Sequence, residues 1–170
     1  MIYPTLFHVY SNSIDTYSDR PAFSLYEGET VTYGIFAQRV ESVQSFLLSA
    51  GLQKGDKVAL LSTNMPNWNV CYFAAVSLGM VIVPILPDFS GEAISSILEH
   101  SGSKALCVSD KLYAKIPHEA REKMELVIRT VSLTVIGGKK MHAEGVPAER
   151  SVPEPNDLAA IIYTSGTTSS

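Results

Sequence analysis

The chain has 170 residues, 46% hydrophobic and 18% charged, with Gly and Pro near average usage. That is the composition of a globular domain long enough to bury a real core. A formal net charge of -4 excludes the basic face that a nucleic-acid backbone needs in a partner.

In chain order, Leu6, Val9, Tyr10 and Ile14 predict an amphipathic helix over residues 4–17, broken by Asp19-Arg20-Pro21. Residues 22–26 and 30–32, with Glu27-Gly28-Glu29 as the turn, read as a small hairpin. Thr32 is placed to cap a helix whose stripe runs Phe36, Val40, Val43, Leu47 and which stops at Gly51. Gly55-Asp56 turns into a strand over 57–62. Pro66 then opens a helix, where its missing N–H does no harm, and Gly79 closes it. Residues 81–84 read as the next strand. Ser90 starts a third helix, with Ile94, Ile97 and Leu98 facing inward and Gly102 as its end. Residues 105–108 are again strand, 111–129 a helix broken at Pro117, and 133–136 strand. Short, continuously apolar strands alternating with helices indicate an α/β fold: a mostly parallel sheet with helices on both faces and the hairpin at its edge.

Residues 137–157, GGKKMHAEGVPAERSVPEPND, are polar, Gly- and Pro-rich and without apolar period. A connection that long suggests a boundary. The expected organisation is an α/β subdomain over 1–136, an exposed linker over 137–157, and the first strand and loop of a further subdomain over 158–170.

Residues 68–86 carry no charge and approach the length of a membrane span, but Asn69, Gly79 and Pro84 interrupt them, and a buried helix followed by a buried strand is the better reading. MIYPTLFHVYSNSIDTY has no basic region leading into an apolar core, so no secretory signal is expected. Cys71 and Cys107 lie far apart with no CxxC pattern, which favours reduced, buried thiols and a cytoplasmic location over a disulfide. His8, His100, His118 and His142 show no zinc-ligand spacing.

Three stretches invite a chemical reading. Gly137-Gly138-Lys139-Lys140 fails as a P-loop: Leu133 stands where its first Gly is required and Lys140 where the hydroxyl residue is required. Thr164-Ser165-Gly166 fails as a nucleophile elbow, because Tyr163 and Thr167 replace the flanking glycines. The tract itself, TSGTT after the apolar IIY, offers a Gly that permits positive φ, uncrowded backbone N–H groups and four hydroxyls. Such a loop can wrap phosphate oxygens with no fixed positive charge of its own, whereas a Ser/Thr/Gly run without that strand would read as a flexible tail.

DLAAIIYTSGTTSS resembles the phosphate-binding signature of the AMP-forming adenylating enzymes, the superfamily of acyl-CoA synthetases, adenylation domains and luciferases. Upstream, the hairpin running into Thr32-Tyr33, then Gly55-Asp56-Lys57-Val58, the Asn64-Met65-Pro66-Asn67-Trp68 turn and AAVSLGMVIVPILP resemble the same family's opening, so the likeness covers nearly the whole chain. Two departures stand out: Ser169 replaces the family's usual Gly, and the sequence stops before the Pro-Lys that completes the motif.

The resemblance implies the front part of a longer ligase. That enzyme would activate a carboxylic acid with ATP to an acyl-adenylate, with magnesium, and pass it to coenzyme A. Thr164, Ser165, Gly166, Thr167 and Thr168 would hold the ATP phosphates, Thr164 also lying near Mg2+, and no catalytic residue would fall within this chain. The turn around Trp68 and the VPILP strand are most similar to long-chain fatty-acid-CoA ligases; an adenylation domain loading a carrier protein is the alternative. The implied partners are the acid, ATP and coenzyme A, with no nucleic acid and no transmembrane segment, and with peripheral membrane contact left open. The 170 residues by themselves are expected to be an inactive α/β module.

Overall fold

Thr5 begins the first helix by accepting the His8 N–H, and α1 (Leu6–Tyr17) follows. This is a computed structural model, and it describes residues 3–141 and 147–164. Strands β1 (Pro21–Ser24) and β2 (Thr30–Thr32) pair antiparallel, and Glu27 in their turn takes a φ of 52°. They form a two-stranded sheet of their own rather than hydrogen-bonding to the main one. Phe23 seats them on α2 (Tyr33–Ser49), its ring edge-on to Phe36 at 5.1 Å. Thr32 caps α2 as the sequence predicts, accepting from Ile35 N–H at 3.2 Å, and the stripe Phe36, Val40, Val43, Leu47 is buried.

The main sheet has five strands: β3 (Lys57–Leu61), β4 (Val81–Pro84), β5 (Ser103–Val108), β6 (Leu126–Arg129) and β7 (Thr134–Gly137), in the order β4-β3-β5-β6-β7. The first four in that order are parallel. Their crossovers are α3 (Pro66–Val76), α4 (Gly91–Ser101), and the short α5 (Asp110–Tyr113) and α6 (His118–Glu122).

Two expectations are corrected here. The region 111–129 is not helix throughout, since Leu126, Val127 and Ile128 form β6 between β5 and β7. And the strand near 133–136 is antiparallel, because only a few residues, with Leu133 at φ 52°, connect it to β6. A tight turn joins antiparallel neighbours, whereas a parallel pair needs a long crossover.

Strand alternation sorts the core onto two faces. Val58, Leu60, Ile82, Ala105, Cys107 and Ile128 meet α2 and α3, while Ala59, Leu61, Val83, Leu106, Val108 and Val127 meet α4, α5 and α6. A fully buried Leu or Ile contributes about 1.5–3 kcal/mol, against about 0.5–1.5 kcal/mol net for a hydrogen bond. These two layers, rather than the four- and five-residue ladders, therefore hold the sheet. Cys71 and Cys107, distant in sequence, face each other in the first layer as free thiols. The hydrogen bond with Cys107 and burial together push the Cys71 thiol well up.

The connection after β7 is largely exposed but tied at several points. Lys139 and Lys140 donate their N–H groups to Met124 and Glu125 carbonyls at 3.1 and 2.8 Å. Ala148 N–H reaches Leu48 O at 2.9 Å. Arg150 donates to Gln44 Oε1 at 2.6 Å, and Gln44 in turn donates to buried Ser77 Oγ at 2.8 Å. Lys54 Nζ lies 2.8 Å from Asp157. His142 falls outside the described residues.

Candidate functional site

The segment after Asp157 lies alongside β4. Ile82 N–H donates to Ala159 O and Ile161 N–H to Ile82 O, each at 3.0 Å, and Ala160 pairs with Ile82 in parallel sense. Residues 159–161 thus extend the sheet beyond β4, running with its parallel strands. The side chains follow the strand period: Ala160 packs on the α2–α3 layer, Ile161 and Tyr163 on the α4 layer, and Ile162 points out at 74% exposure.

Residues 159–161 run in the direction of the carboxyl end of the sheet, the end at which open α/β sheets bind ligands. Tyr163 is half-buried and Thr164 exposed. Tyr163 Oη lies 2.6 Å from Nδ1 of His100, in the last turn of α4, and the rings meet edge-on at 5.7 Å. Of the predicted phosphate-binding set, only Thr164 is among the described residues. Ser165, Gly166, Thr167 and Thr168 lie outside them.

The same sheet end collects small hydroxyl residues. Ser62 after β3, Ser109 after β5 and Thr130 after β6 are all buried, with Ser62 Oγ and Thr130 Oγ1 3.0 Å apart. Asn67 closes this edge by donating to the Thr130 and Val131 carbonyls at 2.9 and 3.1 Å, and Arg39 donates to Asn67 Oδ1 and pairs with Glu29. These residues serve packing and chain direction. A cleft of about 570 Å³ between the hairpin and the start of α3, lined by Phe23, Leu25, Met65 and Trp68 among others, holds no titratable side chain and so no acid or base chemistry.

Among the described residues no group of three or more His, Cys, Asp or Glu is placed to hold a metal ion. Nor is any helix there long and apolar enough to cross a membrane. Thr164 supplies one neutral, exposed oxygen. That donor fits a phosphate oxygen, and it is compatible with Mg2+, which takes oxygen ligands and keeps several of its waters. Sequence reasoning located the tract but not its support: His100 carries no motif, being one histidine in the polar last turn of an amphipathic helix.

Comparison with known proteins bears on the same segment. The family model described as AMP-binding enzyme matches residues 10–170. A peroxisomal long chain acyl-CoA synthetase 7 from Arabidopsis thaliana is 28% identical over 96% of this chain and 27% of its own length. Surfactin synthase subunit 2 from Bacillus subtilis is 27% identical over 96% of this chain and 4% of its own. The chain thus spans about a quarter or less of the relatives it matches here. Among solved structures, the Klebsiella oxytoca NpsA N-terminal subdomain in complex with 3-hydroxyanthranilyl-AMSN superposes with a TM-score of 0.74 at 21% identity, covering 96% of this chain and 39% of that one. That likeness establishes the fold, an α/β architecture with a mostly parallel sheet and a separate hairpin. With the family model matching from within α1 to the last residue, the chain belongs to the AMP-binding enzyme family.

Proposed function

We propose that this chain is the front part of an AMP-forming ligase that activates a fatty acid with ATP and transfers the acyl group to coenzyme A. The observation that carries this reading is the parallel pairing of residues 159–161 with β4, directed toward the carboxyl end of the sheet and followed in sequence by the Thr/Ser/Gly tract. Thr164, Ser165, Gly166, Thr167 and Thr168 hold the β- and γ-phosphates through hydroxyl and backbone donors. Magnesium, with Thr164 beside it, supplies charge neutralisation on the triphosphate when bound. None of the five is a nucleophile or a base. Their work is to keep the α-phosphate in line with the incoming carboxylate and then to let pyrophosphate go, a task that neutral donors suit.

The division into a subdomain over 1–136, a connection over 137–157 and the start of a further subdomain from 158 is part of this reading. So is a cytoplasmic setting, which the two free, buried thiols support. Fatty acids are favoured by the acyl-CoA synthetases among the relatives. A second reading, an adenylation domain serving a carrier protein, is favoured by the surfactin synthase relatives.

Acid-dependent exchange of labelled pyrophosphate into ATP by the whole enzyme decides between them. Exchange with long-chain fatty acids and not amino acids is the expected result. Exchange with amino or aryl acids alone would shift the assignment to the second reading, and none with any acid would defeat both.

A further inference from the structure

The main-chain pairing of the last segment is slight. Two hydrogen bonds, both to Ile82, fix residues 159–161, and among the described residues no main-chain bond holds 162–164. What holds the chain immediately before Thr164 is a side chain: the Tyr163 hydroxyl on His100 Nδ1 at 2.6 Å, with the two rings edge-on at an interplanar angle of 88°. The platform under it is firm. Helix α4 is capped by Ser90, which accepts from Ala93 N–H, and is buried through Ile94, Ile97 and Leu98. It ends at Gly102 in the left-handed conformation, φ 63°, so its last turn cannot unwind freely into β5. A phenol both donates and accepts, so the contact does not depend on which tautomer His100 adopts.

We propose that His100 is a positioning residue for the nucleotide: acting through Tyr163, it fixes the point from which the 164–168 tract departs and thereby tunes affinity for the triphosphate. His100 itself lies on α4, a different element from the tract, and its effect passes through one hydrogen bond. This rests on the phosphate-binding reading of that tract. If the contact merely closed the sheet edge, its loss would lower stability without singling out ATP.

The test uses the whole enzyme with H100A, Y163F, the double variant and H100N, whose side-chain amide reaches the place of Nδ1. Each single variant is expected to raise KM for ATP about 2- to 12-fold, the fold-change that one net hydrogen bond carries, with kcat and the KM for acid changed far less. The double variant is expected to match the singles, because either one alone breaks the bond, and H100N to recover most of the loss. Unchanged KM for ATP in both singles would overturn the proposal, as would parallel loss of kcat and thermal stability without a KM effect. Y163F removes a single oxygen and keeps the test open if H100A folds poorly. Hydrogen exchange at the Ile82 and Ile161 amides, whose two bonds pair the segment with β4, measured in the 170-residue chain, separates this inference from the functional one. If the wild-type enzyme exchanges no pyrophosphate with any acid, the phosphate-binding reading has failed, and the triphosphate role assigned to His100 fails with it. Faster exchange in Y163F then shows only that the latch exists, and unchanged exchange removes the latch as well.

Discussion

Gly91 is the first residue of α4, where an alanine would ordinarily strengthen the helix by up to about 1 kcal/mol. Here a Cβ would come within 2.4 Å of the Lys115 carbonyl oxygen, a main-chain atom, with Pro117 Cδ at 3.8 Å behind it. The stretch between α5 and α6 must shift to admit one methyl group. Gly91→Ala is therefore expected to destabilise the chain by about 1–3 kcal/mol, the usual range for overpacking, in urea unfolding followed by circular dichroism. A neutral or stabilising result would show that residues 115–117 yield without cost. The sequence shows that a helix starts at Ser90, but not that its first residue lies under a distant carbonyl. Capping is local chemistry, whereas the clash depends on where a later loop returns. His100 is illegible for the same reason: Tyr163, its partner, is remote in the chain and arrives only through the sheet.

At the scale of elements, the parallel strands β3, β4 and β5 could be read from sequence because each is a short apolar run bounded by turn residues. Strand β6 could not. Leu126–Arg129 follows a helical stretch, and three apolar residues ahead of an arginine fit a buried helix segment as well as a buried strand. Docking of the connection was equally hidden, since it relies on a few main-chain bonds and single side chains that meet residues remote in sequence. The Lys54–Asp157 pair is one of them, and its dependence on pH follows from both partners. The Asp157 carboxyl is held below its ordinary 3.8, first by the hydrogen bond from Lys54 and then by the Glu154 N–H. Its contribution is present above 3.8 and is lost as pH falls through the lowered value. The Lys54 ammonium is held above its ordinary 10.5, chiefly by Asp157, so its contribution is present below 10.5 and is lost as pH climbs through the raised value. Hydrogen exchange at residues 154–160, corrected for intrinsic rates, is expected to show constant protection near neutrality and a loss in acid below 3.8. Lys54→Met should shrink that acid step to the part that the Glu154 N–H sustains, and an unaltered step in this variant would assign it to another group.

At the scale of the whole molecule, the fold class and the tract after Tyr163 are legible because each rests on local pattern: alternating strand and helix, then a Ser/Thr/Gly run behind an apolar strand. The place of that last segment is not, since residues 159–161 pair with β4 across all of the intervening chain. That pairing has a consequence for biosynthesis. Strand β4, Val81–Pro84, is apolar and uncharged, and its outer side stays unpaired while everything from Ile85 to Leu158 is being made. An open apolar strand is a template for another chain, and Pro84, which has no N–H to offer, limits it only at one end. The segment leading into the Thr/Ser/Gly tract thus also guards the nascent protein against its neighbours. A chain ended at Asp157 is expected to sediment as higher oligomers at concentrations where the 170-residue chain stays monomeric, and identical sedimentation of the two would show that β4 needs no such guard.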